Sequence, residues 1–212
     1  MTAPVMDKGN SAETARELPA SRSVEPPLGT ATLRTDFING MALAANGVQV
    51  VTTDGPAGRI GLTVNSMVSV TADPPTVSVS INRKSPADYI IRANGGFCVN
   101  LLSAEQIEIA KSFAGRPGPG GPYNFGLGEW VDGDKGGPHL VGAVSSFGCA
   151  LEEELEIGTH TIFAGRVVSA KTSHCTAPLL YTQRRYAVAA VLEKPETDME
   201  SWPKLGERSV GK

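Results

Sequence analysis

Residues 76–85 read Thr-Val-Ser-Val-Ser-Ile-Asn-Arg-Lys-Ser, an alternation of apolar and polar side chains that ends in two basic residues before a serine. Side chains alternate across a β-strand, so Val77, Val79 and Ile81 share one face while the hydroxyl groups share the other. The apolar face belongs in a core, and the polar face is either wet or turned toward a polar ligand. The pair Ser85-Pro86 then predicts a helix, because serine is a favoured N-cap and proline suits the first helical position.

Composition restricts the class of protein. The chain has 212 residues, of which 41% are apolar and 19% charged, and its formal charge is −3. This size suits one domain with a real core, and the mild acidity argues against a nucleic-acid binder. Since we find neither a signal peptide nor an apolar run that could span a membrane, we expect a cytoplasmic protein whose three cysteines are reduced.

The 24 glycines and 15 prolines favour short strands and turns over long helices. We expect a β-rich, mainly antiparallel domain over residues 31–192, with a few flanking helices. A flexible N-terminal tail (residues 1–30) and a polar C-terminal tail (residues 193–212) are predicted to flank it, because they carry few large apolar side chains.

Local patterns predict several elements inside the domain. Apolar residues at four-residue spacing predict a first helix over residues 33–45, which Asn46-Gly47 would stop. Two long strands are predicted over residues 143–157 and 159–171, and this many strands usually close into a barrel. Residues 115–138 form a Gly/Pro-rich loop of the length typical of binding loops and lids.

Residues 78–85 are the strongest candidate site. Arg83 and Lys84 bring positive charge to a predicted helix N-terminus, where free N–H groups and the helix dipole favour an anion. The polar face of the preceding strand adds hydroxyl and amide groups, so we predict a phosphate site. The alternative is an ordinary capped helix with two solvated basic residues, since capped helices are common.

Two further segments place polar groups next to a glycine. Residues 61–66 include Thr63, Asn65 and Ser66, whose polar groups suit a heteroaromatic ring; strand threonines followed by a turn are the plainer explanation. His160 follows a glycine and a threonine at the junction of the long strands. It is a candidate contact for a cofactor or an anionic substrate, or else a structural histidine.

Residues for metal or nucleophilic chemistry are not evident in the sequence. The histidines lack metal-ligand spacing, and HExxH, CxxC, GxSxG and P-loop motifs are missing, so no metal site is expected. Cys98 and Cys149 lie in apolar strand context and are predicted to be buried thiols. The acidic run at residues 152–154 is predicted to be a solvated strand face. A phosphate site without a nucleophile or metal often leaves the chemistry to a cofactor.

The order of several motifs resembles the flavin reductase family, which has the FMN-binding split-barrel fold. The matching segments are residues 50–53 (VVTT), 61–67 (GLTVNSM), 69–75 (SVTADPP), 96–102 (GFCVNLL), 110–114 (AKSFA) and 178–181 (PLLY). Their order and spacing together make the resemblance specific over about three-quarters of the chain.

This resemblance implies a homodimeric split β-barrel that binds FMN or FAD near the subunit interface. It implies an oxidoreductase that transfers a hydride from NADH or NADPH to the flavin, and many members pass reduced flavin to a separate monooxygenase. Two alternatives remain: a split-barrel protein that holds flavin or haem without flavin turnover, and a flavoprotein reductase of another acceptor such as corrinoid cobalt or ferric iron.

The resemblance also implies cofactor-binding residues, by their positions in the matching motifs. The residues implied at the isoalloxazine edge are Thr63, Val64, Asn65 and Ser66. Those implied along the ribityl chain and phosphate are Ser80, Asn82, Lys84 and Ser85. Asn100 and Phe113 are implied elsewhere beside the flavin. His160 matches the histidine of a Gly-Asp-His triplet associated with nicotinamide nucleotide binding, although Thr159 replaces the aspartate. Arg184 and Tyr186 are weaker candidates, and Tyr123, Phe125 or Trp130 of the long loop is expected to shield the site.

Overall fold

The computed structural model describes residues 30–192 except 117, 119, 134–135, 174–176 and 191. The two predicted tails lie outside the described residues, apart from Thr30, which begins the first helix. The chain divides after Ile38, and a second compact unit begins at Asn39.

Most of the described chain is strand. The helices are α1 (Thr30–Leu43), α2 (Pro86–Asn94) and α3 (Ile107–Phe113), with a 3-10 turn at Ala104–Gln106. The strands are β1 (Asn46–Gly47), β2 (Gln49–Thr53), β3 (Ile60–Val64), β4 (Val68–Ala72), β5 (Pro75–Asn82), β6 (Gly96–Leu101), β7 (Trp130–Val131), β8 (His139–Leu140), β9 (Ser145–Ile157), β10 (His160–Thr172), β11 (Leu179–Thr182) and β12 (Arg185–Val188).

Seven strands form one antiparallel sheet in the order β3-β2-β6-β9-β10-β5-β4. A three-stranded sheet has the order β1-β11-β12, and β7 pairs with β8. The two strands that end the large sheet, β3 and β4, are consecutive in the chain, so residues 65–67 cross from one edge of the sheet to the other. The predicted β-rich, mainly antiparallel fold is confirmed.

Two helices bury the two faces of this sheet. Ala87 and Ile91 of α2 pack in a cluster with the apolar side chains of β5. Phe113 of α3 packs in a second cluster. Val50 and Val51 are neighbours on β2, and one lies in each cluster, because successive side chains of a strand point to opposite faces.

The structure confirms both the position of the predicted helix α2 and the residues that cap its two ends. Ser85 Oγ accepts from the Ala87 N–H at 3.3 Å, and Gly95 ends the helix at a φ of 70°, which glycine adopts without steric cost. The first helix differs from its predicted range at both ends. It ends at Leu43 because the Asn46-Gly47 pair, expected only as a stop signal, forms β1 against β11.

The acidic run at residues 152–154 is exposed, as predicted, and it also takes part in ion pairs. The Arg92 guanidinium, on α2, donates to Glu154 at 2.9 Å and to Glu156 at 3.1 Å. It also lies over the Phe163 ring, 5.7 Å from the centroid. Glu154 and Glu156 are therefore exposed ion-pair partners that join the β9–β10 hairpin to α2.

Candidate functional site

The turn from β5 into α2 brings three of the predicted residues together. The Asn82 carbonyl accepts from the Ser85 N–H at 2.8 Å, and Asn82 Oδ1 accepts from the Lys84 N–H at 2.9 Å. These bonds fix Ser85 as the N-cap of α2. The Lys84 side chain is exposed. Positive charge therefore stands at the N-terminal end of a nine-residue helix, where the helix dipole favours an anion.

His160 lies directly beside this turn. It pairs with Asn82 across β10 and β5, and the Arg83 N–H donates to the Thr159 carbonyl at 2.9 Å. Thr159 Oγ1 lies 2.9 Å from His160 Nδ1. Thr159, which replaces the aspartate of the Gly-Asp-His triplet, is thus within hydrogen-bond distance of the imidazole, and the ring itself is exposed.

Ser66 ties the β3–β4 connection to the backbone of β5. Its Oγ donates to the Ser80 carbonyl and accepts from the Ser80 N–H, both at 3.1 Å. Ser80 shares its face of β5 with Asn82, two residues further on. The segment 61–66 and the segment 78–85 therefore meet on one continuous surface, although they are separate in the sequence.

A cavity of about 210 Å³ opens at the end of β3. Four of the predicted residues line it, together with four others; in chain order the lining residues are Val48, Thr63, Val64, Asn65, Ala114, Arg116, Tyr181 and Tyr186. The Thr63 hydroxyl donates to the Ala110 carbonyl at 2.7 Å, which fixes the end of β3 against α3. The cavity thus joins the predicted ring-edge residues to the last hairpin of the chain.

Sequence reasoning missed Arg116 and Tyr181 as lining residues. Tyr181 reaches the cavity because β11 pairs with β1, which places it opposite Asn46. Its ring meets the Tyr186 ring edge to face, with centroids 5.4 Å apart. Tyr181 lies in one of the matching motifs, and Arg116 lies at the start of the long loop. Neither position indicates that the residue lines a cavity.

The Tyr186 phenol keeps its proton at neutral pH. Burial raises the pKa of Tyr186, while the positive charges of Arg116 and Lys111 act in the opposite direction. The net direction is upward, because the desolvation of the phenolate is the largest effect. Tyr186 is therefore available as a hydrogen-bond donor at the cavity.

Asn100 is a correction. It is fully buried, and its amide is satisfied by the protein: Nδ2 donates to the Val50 and Pro138 carbonyls at 3.2 and 3.3 Å, and Oδ1 accepts from the Leu140 N–H and the Ser146 hydroxyl, both at 2.8 Å. No edge of the amide is open to a ligand. The predicted flavin contact is therefore replaced by a structural role that joins β2, β6, β8 and β9.

Phe113 lies next to the cavity-lining Ala114 but is itself buried under the long loop. Its ring packs edge to face against Phe125 and Trp130, with centroids 4.9 and 5.4 Å away. Arg59 fastens the same loop, because its Nη2 lies 2.6 Å from a carboxylate oxygen of the loop residue Asp132. Two of the three aromatic residues expected to shield the site therefore hold the loop against α3, and the third, Tyr123, is exposed.

The predicted buried thiols are confirmed. Cys98 and Cys149 are free and fully buried, and burial raises the pKa of each thiol to about 12. Thiols of this kind are poor nucleophiles, since the thiolate is the reactive form. Among the described residues, the structure contains no cluster of metal-ligating side chains and no helix long and apolar enough to cross a membrane.

Residues 41–190 match the family model described as a flavin reductase like domain. The chain belongs to the flavin reductase family. One curated flavin reductase, an FMN reductase (NADH) of Ancylobacter novellus, is 38% identical over 157 residues, which cover 74% of this chain and 86% of that protein. The 4-hydroxyphenylacetate 3-monooxygenase reductase component of Pseudomonas aeruginosa is 42% identical over 126 residues, or 59% of this chain and 74% of the relative.

A solved flavin reductase structure has the same fold. The Streptomyces globisporus C-1027 NADH:FAD oxidoreductase SgcE6, in complex with NAD and FAD fragments, matches with a TM-score of 0.69 and 29% identity, covering 82% of this chain and 100% of that one. The family resemblance and the split-barrel fold expected from the sequence are both confirmed.

The residues present in this flavin reductase fit a flavin. Lys84 and the positive end of the α2 dipole suit a phosphate, and the polar side chains of Ser80 and Asn82 lie on the same strand face as candidates for the ribityl hydroxyls. The cavity at Thr63 and Tyr186 combines apolar walls with hydrogen-bonding groups, as sites for planar heterocycles do.

Proposed function

We propose that this flavin reductase transfers a hydride from NADH to FMN or FAD. The observation that carries the proposal is the pair of hydrogen bonds between Ser66 and Ser80, which joins the ring-edge segment to the phosphate-binding turn, with His160 beside that turn. A bound flavin supplies a ring that accepts the hydride. Such a transfer needs alignment of two rings and no protein nucleophile, which agrees with the high pKa of the buried thiols.

The protein's part in this reaction is to bind, orient and exclude water. At the ring edge we assign the cavity residues Thr63, Val64 and Asn65, with Ser66 fixing their connection to β5 and Tyr186 donating from the opposite wall. The Thr63 hydroxyl already donates to the protein, so its oxygen remains available as an acceptor.

The chain end of the flavin is assigned to the turn before α2. Ser80 and Asn82 are placed along the ribityl chain, and Lys84 and Ser85 at the phosphate, because the positive charge and the helix N-terminus coincide there. His160 is assigned to the nicotinamide nucleotide, with Thr159 orienting its imidazole.

We further propose that residues 31–192 form the flavin reductase domain and that two chains associate as a homodimer. This homodimer would supply reduced flavin to a monooxygenase. The edge strand β4 supports the dimer: all its residues are exposed, including Val68 and Val70, and proteins usually cover an apolar sheet edge. The Pseudomonas aeruginosa relative, named as a monooxygenase reductase component, supports the partner. The free buried thiols support a location in the cytoplasm.

The direct test follows absorbance at 340 nm while purified protein is mixed with NADH or NADPH, with and without added FMN or FAD. Rapid, flavin-dependent loss with NADH is the expected result. No loss with any pair would overturn the proposal and favour a split-barrel binding protein without turnover, whose absorption spectrum would distinguish flavin from haem.

A His160→Gln variant tests the nucleotide assignment. It is expected to raise the KM for NADH several-fold while the Kd for FMN stays unchanged. Arg166→Met is the control, since that arginine pairs with Glu152 and lies in neither assigned site. Equal effects of both variants would contradict the role given to His160.

A further inference from the structure

We propose that a cavity on the α3 side of the large sheet binds a small organic carboxylate with a single ring. The cavity has a volume of about 240 Å³ and lies where β8 and the start of β9 meet the C-terminal end of β10. None of its lining residues lines the cavity at Thr63, so it is separate from the site assigned to the flavin ring.

The strand register places two polar side chains of this cavity on one face of the sheet. Ser146 is paired with Lys171 on β10 and with Asn100 on β6. Side chains of directly paired residues project from the same face of an antiparallel sheet. On this face the Ser146 hydroxyl donates to Asn100 Oδ1 at 2.8 Å. The Lys171 side chain therefore extends from the same face as Ser146 and Asn100.

A buried imidazole lines the cavity from β8. His139 is 4% exposed, and its Nδ1 lies 3.4 Å from Cys98 Sγ. Cys98 precedes Asn100 by two residues on β6, so both side chains share one face. Burial is the main cause of the raised pKa of Cys98, and the positive charge of Lys171 acts in the opposite direction. The Lys171 ammonium group is therefore near enough to act on the thiol that His139 contacts.

The positive charge of Lys171 favours an anion in this cavity. Lys171 makes no ion pair within the part of the chain that the structure describes. No aspartate or glutamate is among the described residues that line the cavity. A carboxylate accepts hydrogen bonds from an ammonium group and carries a single charge, which one lysine balances. The cavity therefore suits a monoanion better than a phosphate.

Apolar side chains determine the rest of the ligand. Val131, Leu140 and Ala143 line the same cavity, and the last two are buried in the cluster that contains Phe113 of α3. An engineered apolar cavity of about 150 Å³ holds one benzene ring. A volume of about 240 Å³ therefore accommodates one ring together with a carboxylate.

The test titrates the full-length chain with benzoate as the probe and follows the ligand by NMR. A Kd of about 1 mM or below is expected for a ligand of this size. Benzamide has nearly the same shape without the charge and is expected to bind about tenfold more weakly, and inorganic phosphate, which lacks the ring, is also expected to bind more weakly. Absence of benzoate binding, or binding of benzamide or phosphate as tight as that of benzoate, overturns the proposal.

Variants locate the binding site. Lys171→Met removes the charge but keeps most of the stem, and it is expected to weaken benzoate binding about tenfold or more. Arg166→Met is the matched control, since Arg166 is an exposed cation on the same strand that does not line this cavity, and it is expected to bind benzoate as the native chain does. Equal binding by the two variants overturns the proposal.

Two further measurements test the position of the ligand. Ala143→Leu fills the cavity and is expected to abolish benzoate binding; if circular dichroism shows that this variant does not fold, the exposed Lys171→Met position still decides the test. Excess FMN is expected to leave the Kd for benzoate unchanged, because the two cavities share no lining residue. Competition between FMN and benzoate would place the probe in the flavin site and overturn the proposal.

Discussion

Replacement of Asn100 by alanine is expected to destabilise the barrel by about 4 kcal/mol without removing a ligand contact. The four shortest hydrogen bonds of the side chain, at 2.8–3.3 Å, join it to Val50, Pro138, Leu140 and Ser146. A hydrogen bond contributes about 1 kcal/mol net, so four bonds give about 4 kcal/mol. The donors and acceptors that the variant leaves buried without a partner add to the cost. Since a domain is typically stable by about 5–15 kcal/mol, the loss is large but survivable.

Urea unfolding followed by circular dichroism measures this loss. Asn65→Ala is the matched control: that asparagine is exposed and lines the cavity, so its variant is expected to weaken flavin binding while stability changes by less than about 0.5 kcal/mol. If Asn100→Ala does not fold, Asn100→Ser gives a milder truncation with the same expected direction. A loss below about 1 kcal/mol at an unchanged m-value would refute the structural role assigned to Asn100.

Three other predictions concern single contacts. Ser66→Ala removes both bonds to β5 and is expected to raise the flavin Kd about tenfold by fluorescence titration, whereas Ser66→Thr retains the hydroxyl; equal losses would contradict the prediction. Because burial raises the pKa of the Cys98 and Cys149 thiols to about 12 from 9.0, folding favours the protonated forms. The contribution of the two thiols to the free energy of unfolding is complete below pH 9 and is lost as the pH rises toward 12. The free energy of unfolding in urea should therefore fall less over this pH range in a variant with both cysteines replaced by alanine. An identical fall in the native chain and the variant would refute the prediction. Arg59→Met is expected to loosen the long loop and raise the KM for NADH, and unchanged kinetics would argue against loop shielding.

Elements with strong local signals could be predicted from the sequence. The alternation in residues 76–82 requires a half-buried strand, and β5 buries Val77, Val79 and Ile81 while its polar side chains stay at least partly accessible. The order of strands in the sheet could not be derived in the same way, because pairing depends on contacts between distant segments. The Asn46-Gly47 pair shows the difference: it is a turn signal locally and a strand in the fold, since β11 supplies its partner.

In the candidate site, too, features built from neighbouring residues could be predicted and features built from distant segments could not. The turn proposed for the phosphate could be located from the sequence, because a helix cap, two basic residues and a polar strand face are all contiguous. Arg116 and Tyr181 could not, because only the folded chain brings them to the cavity. Asn100 was placed beside the flavin by the family resemblance alone, and only the folded chain shows the partners on β8 and β9 that satisfy its amide.

The position of the site follows from the two faces of β5. Its apolar face is occupied by α2, so the same strand that completes the core also fixes the helix whose N-terminus is the proposed phosphate site. Its polar face carries Ser80 and Asn82, where valine would be the better strand former. Ser66 binds the backbone of this strand at the point where the sheet's two edges meet. One strand, β5, therefore supports three features of the candidate site. They are the N-terminus of α2, the accessible row of polar groups and the contact with the β3–β4 connection.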